Sequence, residues 1–311
     1  MSTRVFLLFL FYTQFKIPAW GIIEVMVRVI GAASGLGAQL RECAEGPKYL
    51  HKTNCSFLPW DFIFPQEKVK QTDADLIGEF NLRLADHVFS CLRDQEFPIV
   101  IGGDHSIAVG TWNGVYFGRG QLPLGLIWID AHMDSHTPET TPSGAIHGMP
   151  LAGLLGFGPS FLSAPKGVCP ILLPENVCLI GVRSFEEEEA ALLQKLGVRI
   201  FFMDEVKRKG VDRVFEEALD QVTKNTTSFG VSLDLDCLDP KEAPGVGSPE
   251  EGGILTQELL SALPKICTHP KLSAFELVEY NPYQDVDNKT AGICKEIVSI
   301  VLQSIGVHHG R

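Results

Sequence analysis

Several features that mark common classes of protein are missing from this sequence of 311 residues. Its eight cysteines form no C-x-x-C pair and no regular disulfide spacing, and several lie inside apolar runs, where a reduced thiol behaves as a small hydrophobe. This pattern favours a reducing compartment, and we predict the cytoplasm. No run of basic residues offsets the net charge of −12, which argues against nucleic acid as a partner.

Linkers, nucleotide-binding motifs and membrane spans are missing as well. No Pro-, Gly- or Ser-rich segment divides the chain, so residues 26–311 are predicted to form one large domain. Neither G-x-G-x-x-G nor G-x-x-x-x-G-K-[ST] occurs, so nucleotide-phosphate binding is not predicted. Residues 5–12 form an apolar run that is typical of a signal peptide but too short to span a membrane. We predict residues 1–25 to be an N-terminal extension, either an overextended reading frame or a targeting segment.

What the sequence does contain is a short apolar run that ends in acids and a histidine. Residues 124–129 read as a buried strand because they are continuously apolar and lack helical periodicity. Asp130, His132 and Asp134 follow directly, at a spacing of two. On an extended backbone such residues point the same way, so all three side chains are predicted to converge at the carboxyl end of the strand.

Two further apolar runs end in the same manner. Residues 229–233 run into Asp234 and Asp236, and residues 97–101 run into G-G-D-H-S, which contains His105. Each motif alone could be a solvated turn or a helix cap, but open α/β sheets build their sites where parallel strands end. Together the motifs predict a metal centre with six ligands: His105, Asp130, His132, Asp134, Asp234 and Asp236.

The number and type of these ligands indicate two metals. Carboxylates and imidazoles without thiolate suit Mn²⁺, and could suit Zn²⁺, Fe²⁺, Co²⁺ or Ni²⁺. Six side chains are too many for one metal that keeps an open position, but they suit two metals roughly 3.5–4 Å apart and bridged by carboxylates. The four aspartates would also balance the charge of two divalent ions.

The order of predicted elements indicates the fold class. Strands alternate with amphipathic helices, which is typical of an α/β protein with three layers, α-β-α, around a central and mostly parallel sheet. The apolar runs predict strands at 25–30, 97–101, 124–129, 177–182, 199–202, 229–236 and 272–278. Periodicity predicts helices at 74–94, 106–117, 150–155, 186–196, 211–222, 256–267 and 289–305.

Five segments of the chain resemble the arginase/agmatinase (ureohydrolase) family. They are GGDHS (102–106), DAHMD (130–134), SGAIHGMP (143–150), SLDLDCLDP (232–240) and VEYNP (278–282). The resemblance extends from about Val27 to about Ile305. It implies an arginase-like catalytic domain over 26–311 that holds two Mn²⁺, forms a homotrimer or homohexamer, and releases urea from a guanidino group. The substrate implied first is L-arginine, with L-ornithine as the other product.

The resemblance also implies a role for each site residue. One metal would be held by His105, Asp130, Asp134 and Asp234, and the other by His132, Asp130, Asp234 and Asp236, with a bridging hydroxide as nucleophile. The implied catalytic residues are Asp134, His147 and Glu279. Glu279 matches the acid that pairs with the guanidinium, and His147 matches a proton shuttle. A structural histidine and a solvated acid are the alternative interpretations of these two.

The chain departs from the arginase pattern where the amino-acid end of the substrate would lie. Two asparagines that hold the α-carboxylate in that pattern are replaced here by His136 and Ala145. Ser143 is retained, Ser248 matches a substrate-side hydroxyl, and Glu186 replaces the aspartate that contacts the α-amino group. Agmatine or another guanidino substrate, and a non-catalytic metal-binding role, therefore stay open as alternatives. The acidic run 186–189 is predicted to be a solvated helix start.

Overall fold

The computed structural model describes residues 25–53, 58–66, 70–163 and 165–306. Residues 1–24, which are nearly all of the predicted N-terminal extension, lie outside the described residues. Within the described ranges, no helix combines the length and the apolar character that crossing a membrane requires.

The strands form one eight-stranded sheet whose described pairs are all parallel. The strands are β1 (Met26–Ala32), β2 (Trp60–Ile63), β3 (Glu96–Gly102), β4 (Leu124–Ile129), β5 (Val177–Val182), β6 (Arg199–Phe202), β7 (Ser228–Asp234) and β8 (Leu272–Val278). Their spatial order is β2-β1-β3-β8-β7-β4-β5-β6. The central strands β4, β7 and β8 are buried along their whole length and are mostly apolar, as is typical of strands covered on both faces.

Helices cover both faces of the sheet, so the predicted three-layer α/β architecture is confirmed. They are α1 (Gly46–Thr53), α2 (Asp73–Arg93), α3 (Ala108–Gly118), α4 (Pro150–Leu154), α5 (Ser160–Ser163), α6 (Glu187–Leu196), α7 (Met203–Lys209), α8 (Val211–Thr223), α9 (Thr256–Cys267) and α10 (Lys289–Ser304). The hydrophobic core on one face takes side chains from α2 to α6. The core on the other face takes them from α1 and from α7 to α10.

Helix α2 shows how local sequence and packing agree. Thr72 caps its start: the Thr72 hydroxyl accepts from the Asp75 N–H at 3.2 Å, and the Asp75 carboxylate accepts from the Thr72 N–H at 3.0 Å. The stripe that includes Phe80, Leu84 and Val88 is fully buried against the sheet and α3. Each such side chain contributes roughly 1.5–3 kcal/mol by leaving water.

The sheet topology places four strand ends side by side. Strands β3, β8, β7 and β4 are consecutive neighbours in the centre of the sheet, although β8 comes last along the chain. Their carboxyl ends lead into His105, Glu279, Asp234 and Asp130 respectively. Gly103 is required here, because a Cβ atom on it would lie 1.9 Å from the carbonyl oxygen of Ser34. Four sequence-distant segments thus meet at one edge of the sheet.

Candidate metal centre and adjoining pocket

One group of side chains surrounds the imidazole of His105. Its Nδ1 lies 3.1 Å from Asp130 Oδ2, 3.0 Å from Asp134 Oδ2 and 3.1 Å from Asp234 Oδ2. All four side chains are buried, and Nδ1 has no hydrogen-bond partner among the described residues. Four ligand atoms thus surround one point.

The other ring nitrogen indicates which tautomer of His105 is present. Ser232 Oγ donates to Glu276 Oε1 at 2.7 Å and lies 2.8 Å from His105 Nε2, so it accepts the Nε2 proton. In the neutral ring, Nδ1 is then the unprotonated nitrogen, and its lone pair points at three carboxylate oxygens. These atoms are all electron-pair donors, and a divalent cation is the partner that satisfies them together. The group fits a metal ion.

Trp128 fixes the orientation of both His105 and Asp130. Its ring stacks on the His105 imidazole with centroids 4.1 Å apart and planes 10° from parallel. Its indole N–H donates to Asp130 Oδ2 at 2.9 Å. Trp128, near the end of β4, therefore orients the side chains of His105 and Asp130.

A second group surrounds His132 and shares Asp130 with the first. His132 Nδ1 lies 3.0 Å from Asp236 Oδ2 and 3.5 Å from Asp130 Oδ1. Because Asp130 turns one oxygen to each group, it can bridge two ions. Asp234 turns Oδ2 to the first group, while its Oδ1 accepts from the Asp236 N–H at 2.9 Å. The geometry therefore accommodates a binuclear centre.

Side chain-capped turns, rather than extended strands, bring these ligands together. β7 ends at Asp234, two residues before the predicted end, because the Asp234 carboxylate caps a 3₁₀ turn. Asp130 accepts in the same way from the His132 N–H at 2.7 Å. Asp134 and Glu279 adopt left-handed backbone conformations, with φ of 49° and 65°. Non-glycine residues at such angles are typical of functional sites.

The carboxylates repel one another in this buried environment. Burial, together with the neighbouring Asp130, raises the pKa of Asp236 to about 6. Burial also raises the pKa of Asp234 well above its usual value, with added contributions from Asp236 and Asp130. Positive charge at the centre of the site would therefore keep Asp234 and Asp236 ionised.

A buried ion pair stands beside the metal-binding groups. Glu279 Oε1 accepts from the His105 N–H at 2.9 Å and lies 2.9 Å from His147 Nδ1. Burial opposes the charge on both side chains, but their mutual attraction outweighs it. The pKa of His147 is therefore raised to about 9, and the pKa of Glu279 is lowered from its usual value.

A pocket of about 450 Å³ opens above the centre, and every predicted substrate contact lines it. These contacts are His136, Ser143, Glu186, Ser248 and Glu279. The predicted ligands His132, Asp134, Asp234 and Asp236 also line the pocket, as does His147. His105 and Asp130 lie beneath it, fully buried. The structure therefore brings all the sequence-predicted site residues into one place.

Sequence reasoning missed Glu189, which also lines the pocket. Glu186 is exposed as predicted, but Glu189 is only 3% exposed, and burial raises its pKa to about 7. Glu189 Oε1 accepts from the Glu186 N–H at 3.2 Å, and Oε2 accepts from the Ser135 N–H at 3.3 Å. The E-x-x-E spacing of a helix capping box was the available signal.

Arg183 was missed for a different reason. Its guanidinium donates to the carbonyl oxygens of Asp236 at 2.7 Å, Glu250 at 2.8 Å and Leu238 at 3.2 Å. It therefore ties the end of β5 to the loop that carries Asp236. Its partners are more than 50 residues away in sequence, and no local pattern marks them.

A three-layer parallel fold with two imidazole–carboxylate groups that share an aspartate fits the class of metal-dependent α/β hydrolases. Comparison with known proteins narrows the class. The sequence model described as "Arginase family" matches residues 26–303. The arginase of Bacillus caldovelox is 45% identical over 217 residues, which are 70% of this chain and 72% of that protein.

Solved structures agree with the sequence comparison. The Bacillus cereus arginase superposes with a TM-score of 0.83 at 34% identity, over 89% of this chain and 98% of that one. The Entamoeba histolytica arginase, solved in complex with L-ornithine, gives 0.82 at 28% identity, over 90% and 99%. The chain belongs to the arginase family.

Proposed function

We propose that this chain hydrolyses L-arginine to L-ornithine and urea. The observation that carries the proposal is the pair of imidazole–carboxylate groups sharing Asp130 at the floor of a pocket whose wall holds Glu279 and His147. Membership of the arginase family supports the same reaction.

The two groups at the floor would hold two divalent cations, and we propose Mn²⁺. The ligand oxygens and nitrogens suit Mn²⁺: His105, Asp130, Asp134 and Asp234 would hold one ion, and His132, Asp130 and Asp236 would hold the other. When bound, such a pair supplies Lewis acidity that makes a water nucleophilic near neutral pH. Asp134 lines the pocket beside these ligands, where it can accept the proton that the attacking water releases.

Glu279 orients the guanidinium of the substrate. Its Oε1 is occupied by the His105 N–H and by His147, whereas Oε2 lies beside Gly247, another residue of the pocket wall. A carboxylate that is held rigidly in this way offers a charge-assisted hydrogen bond to a planar donor. The guanidinium carbon is then kept over the floor of the pocket at a fixed distance, which lowers the entropic part of the barrier.

His147 supplies the proton for the leaving amine. Because the Glu279 carboxylate raises its pKa to about 9, His147 is protonated at neutral pH. An imidazolium at the pocket wall can donate that proton as the C–N bond breaks. His136, Ser143, Glu186 and Ser248 line the rim of the pocket, where the far end of the substrate would lie.

Urea release tests the proposal directly. The full chain, loaded with Mn²⁺, should release urea from L-arginine, and two metals per chain should be found by elemental analysis. Asp130→Asn is the matched control, since it keeps the size of the side chain and removes the charge shared by both groups. Two bound metals without urea from any guanidine would refute the proposed reaction.

Three further properties follow from the family and the sequence as proposals. We infer that residues 26–311 form the catalytic domain, that it assembles as a homotrimer or homohexamer, and that it works in the cytoplasm. Within the described ranges, seven cysteines lie outside any disulfide, which supports a reducing compartment. Light scattering of the purified chain would test the assembly, and a mass below three subunits would contradict it.

A further inference from the structure

We infer that the rim of the pocket selects guanidines by an ammonium group at their far end and offers a carboxylate there no dedicated partner. This inference rests on the proposed hydrolysis of a guanidino group. It concerns which of the two charges on the α-carbon of an amino-acid substrate the site recognises.

Negative charge dominates the rim. Glu186 is exposed to the pocket, and Glu189 lies behind it, with its Oε1 3.6 Å from His136 Nε2. Within the described part of the chain, no lysine or arginine lines the pocket. An ammonium group would meet carboxylate oxygens at this position, whereas a carboxylate would meet them without a fixed cation to offset the repulsion.

The imidazole of His136, which stands where the family pattern has an asparagine, is already engaged. Its Nε2 lies 2.9 Å from Glu186 Oε2, and its Nδ1 lies 3.1 Å from Thr140 Oγ1. The ring is buried, so it cannot turn a nitrogen to the substrate without breaking one of these contacts. His136 therefore fixes Glu186 in place rather than receiving a carboxylate.

In the loop on the opposite side of the rim, two backbone N–H groups are already hydrogen-bonded. The Ala145 N–H donates to Ser143 Oγ at 3.1 Å, and the Gly144 N–H donates to Thr141 Oγ1 at 3.1 Å. Ala145 adds only a methyl group. Among the side chains of the rim, the donors that remain are the hydroxyls of Ser143 and Ser248 and the exposed amide of Gln39. These neutral groups can serve an ammonium or a carboxylate equally and do not discriminate between them.

Three guanidines with the same carbon chain separate the two charges. L-Arginine carries both, agmatine carries the ammonium alone, and 5-guanidinopentanoate carries the carboxylate alone. With the Mn²⁺-loaded chain, we expect kcat/KM for agmatine within about fivefold of that for L-arginine, and a loss of at least about tenfold for 5-guanidinopentanoate. The inference is overturned if 5-guanidinopentanoate matches L-arginine, or if agmatine falls more than about tenfold below it.

A charge-neutralising substitution sharpens the test. Glu186→Gln should lower kcat/KM for agmatine by about tenfold and reduce the ratio of agmatine to 5-guanidinopentanoate, with metal content unchanged. Glu187→Gln is the matched control, because Glu187 is exposed on the same helix end and does not line the pocket. An unchanged ratio in Glu186→Gln would overturn the role of Glu186.

Failure of the proposed function is distinguishable from failure of this inference. If none of the three guanidines yields urea, the hydrolysis proposal fails, and calorimetry with L-ornithine, putrescine and 5-aminopentanoate still reports on the rim. Binding of putrescine and L-ornithine at least about tenfold tighter than that of 5-aminopentanoate supports the inference. Equal binding of the three amines, or tightest binding of the amino acid without the α-amino group, overturns it.

Discussion

The floor and the rim of the pocket are built in different ways. The floor consists of buried side chains at the ends of central strands, each held by several contacts, such as the stacking of Trp128 on His105. The rim consists of side chains on loops and at a helix start, and Ser143 and Glu186 are exposed there. The sequence motifs at the floor resemble those of the family, whereas His136 and Ala145 at the rim depart from that resemblance. Reaction and substrate choice can therefore change independently in this fold.

The difference between floor and rim should be largest when Asp130 is substituted. Because this residue turns one oxygen to each metal-binding group, Asp130→Ala should lower turnover by about 10³-fold or more, beyond the 10–100-fold typical of partners outside the ligand set. Elemental analysis should find less metal in the variant. Ser143→Ala, at the rim, is the control and should keep both metals. Full turnover in Asp130→Ala would contradict the shared position of this residue.

Substitution of His147 tests whether the pocket wall between floor and rim takes part in catalysis. His147→Ala should lower kcat by roughly 10²–10⁴-fold with metal retained, because the leaving amine loses its proton donor. The active form is the imidazolium, so activity should be present below a pKa of about 9 and lost as the pH rises through it. A pH–rate profile should show this alkaline limb in the parent chain and not in the variant. Loss of metal in His147→Ala would assign the residue a structural role.

Substitution of Ser232 shows how strongly metal binding at the floor depends on the groups beneath it. Ser232→Ala removes the acceptor of the His105 Nε2 proton, so metal affinity should fall about 10–100-fold. Ser273→Ala is the matched control, since its buried hydroxyl on the neighbouring strand bonds, among the described residues, only the Phe229 carbonyl. Competition with a metal chelator would give both affinities. Equal affinities in the two variants would show that His105 is oriented without Ser232.

The smallest effect is expected at the rim. Ala145→Asn adds a side-chain donor for a carboxylate, and a charge-assisted hydrogen bond of about 1.5 kcal/mol would lower KM for L-arginine by up to about tenfold. KM for agmatine should not change, because agmatine has no carboxylate. Ala145→Ser, with a shorter side chain, is the control. An equal improvement for both substrates would mean that the residue acts on the loop rather than on the carboxylate.

The floor could be predicted from sequence because its signals are local. Short apolar runs that end in acids and histidines locate Asp130, His132 and Asp234 without knowledge of any partner. The geometry was predicted less well, since turns capped by aspartates, and not extended strands, bring the side chains together. A pattern of spacing two cannot distinguish these two backbones.

The rest of the site depends on contacts between distant segments. Glu189 looks like part of a solvated acidic run, and its burial follows from the packing of α6 against the loop that carries Ser135. The role of Arg183 depends on carbonyl groups, such as that of Asp236, which come close to it only in the folded chain. The short elements β2, α1, α5 and α7 were also missed. At four residues, edge strand β2 is too brief for periodicity to mark.

The position of β8 sets the order in which a newly made chain can become active. This strand is the last to leave the ribosome, yet it occupies the slot between β3 and β7. Until it arrives, His105 belongs to one half of the sheet, and Asp130 and Asp234 belong to the other. Domains generally fold as units, and the part of this domain that is made before β8 holds only part of the centre. A nonsense codon before Leu272 would therefore leave a product with no residual catalysis, however much of the chain it retained.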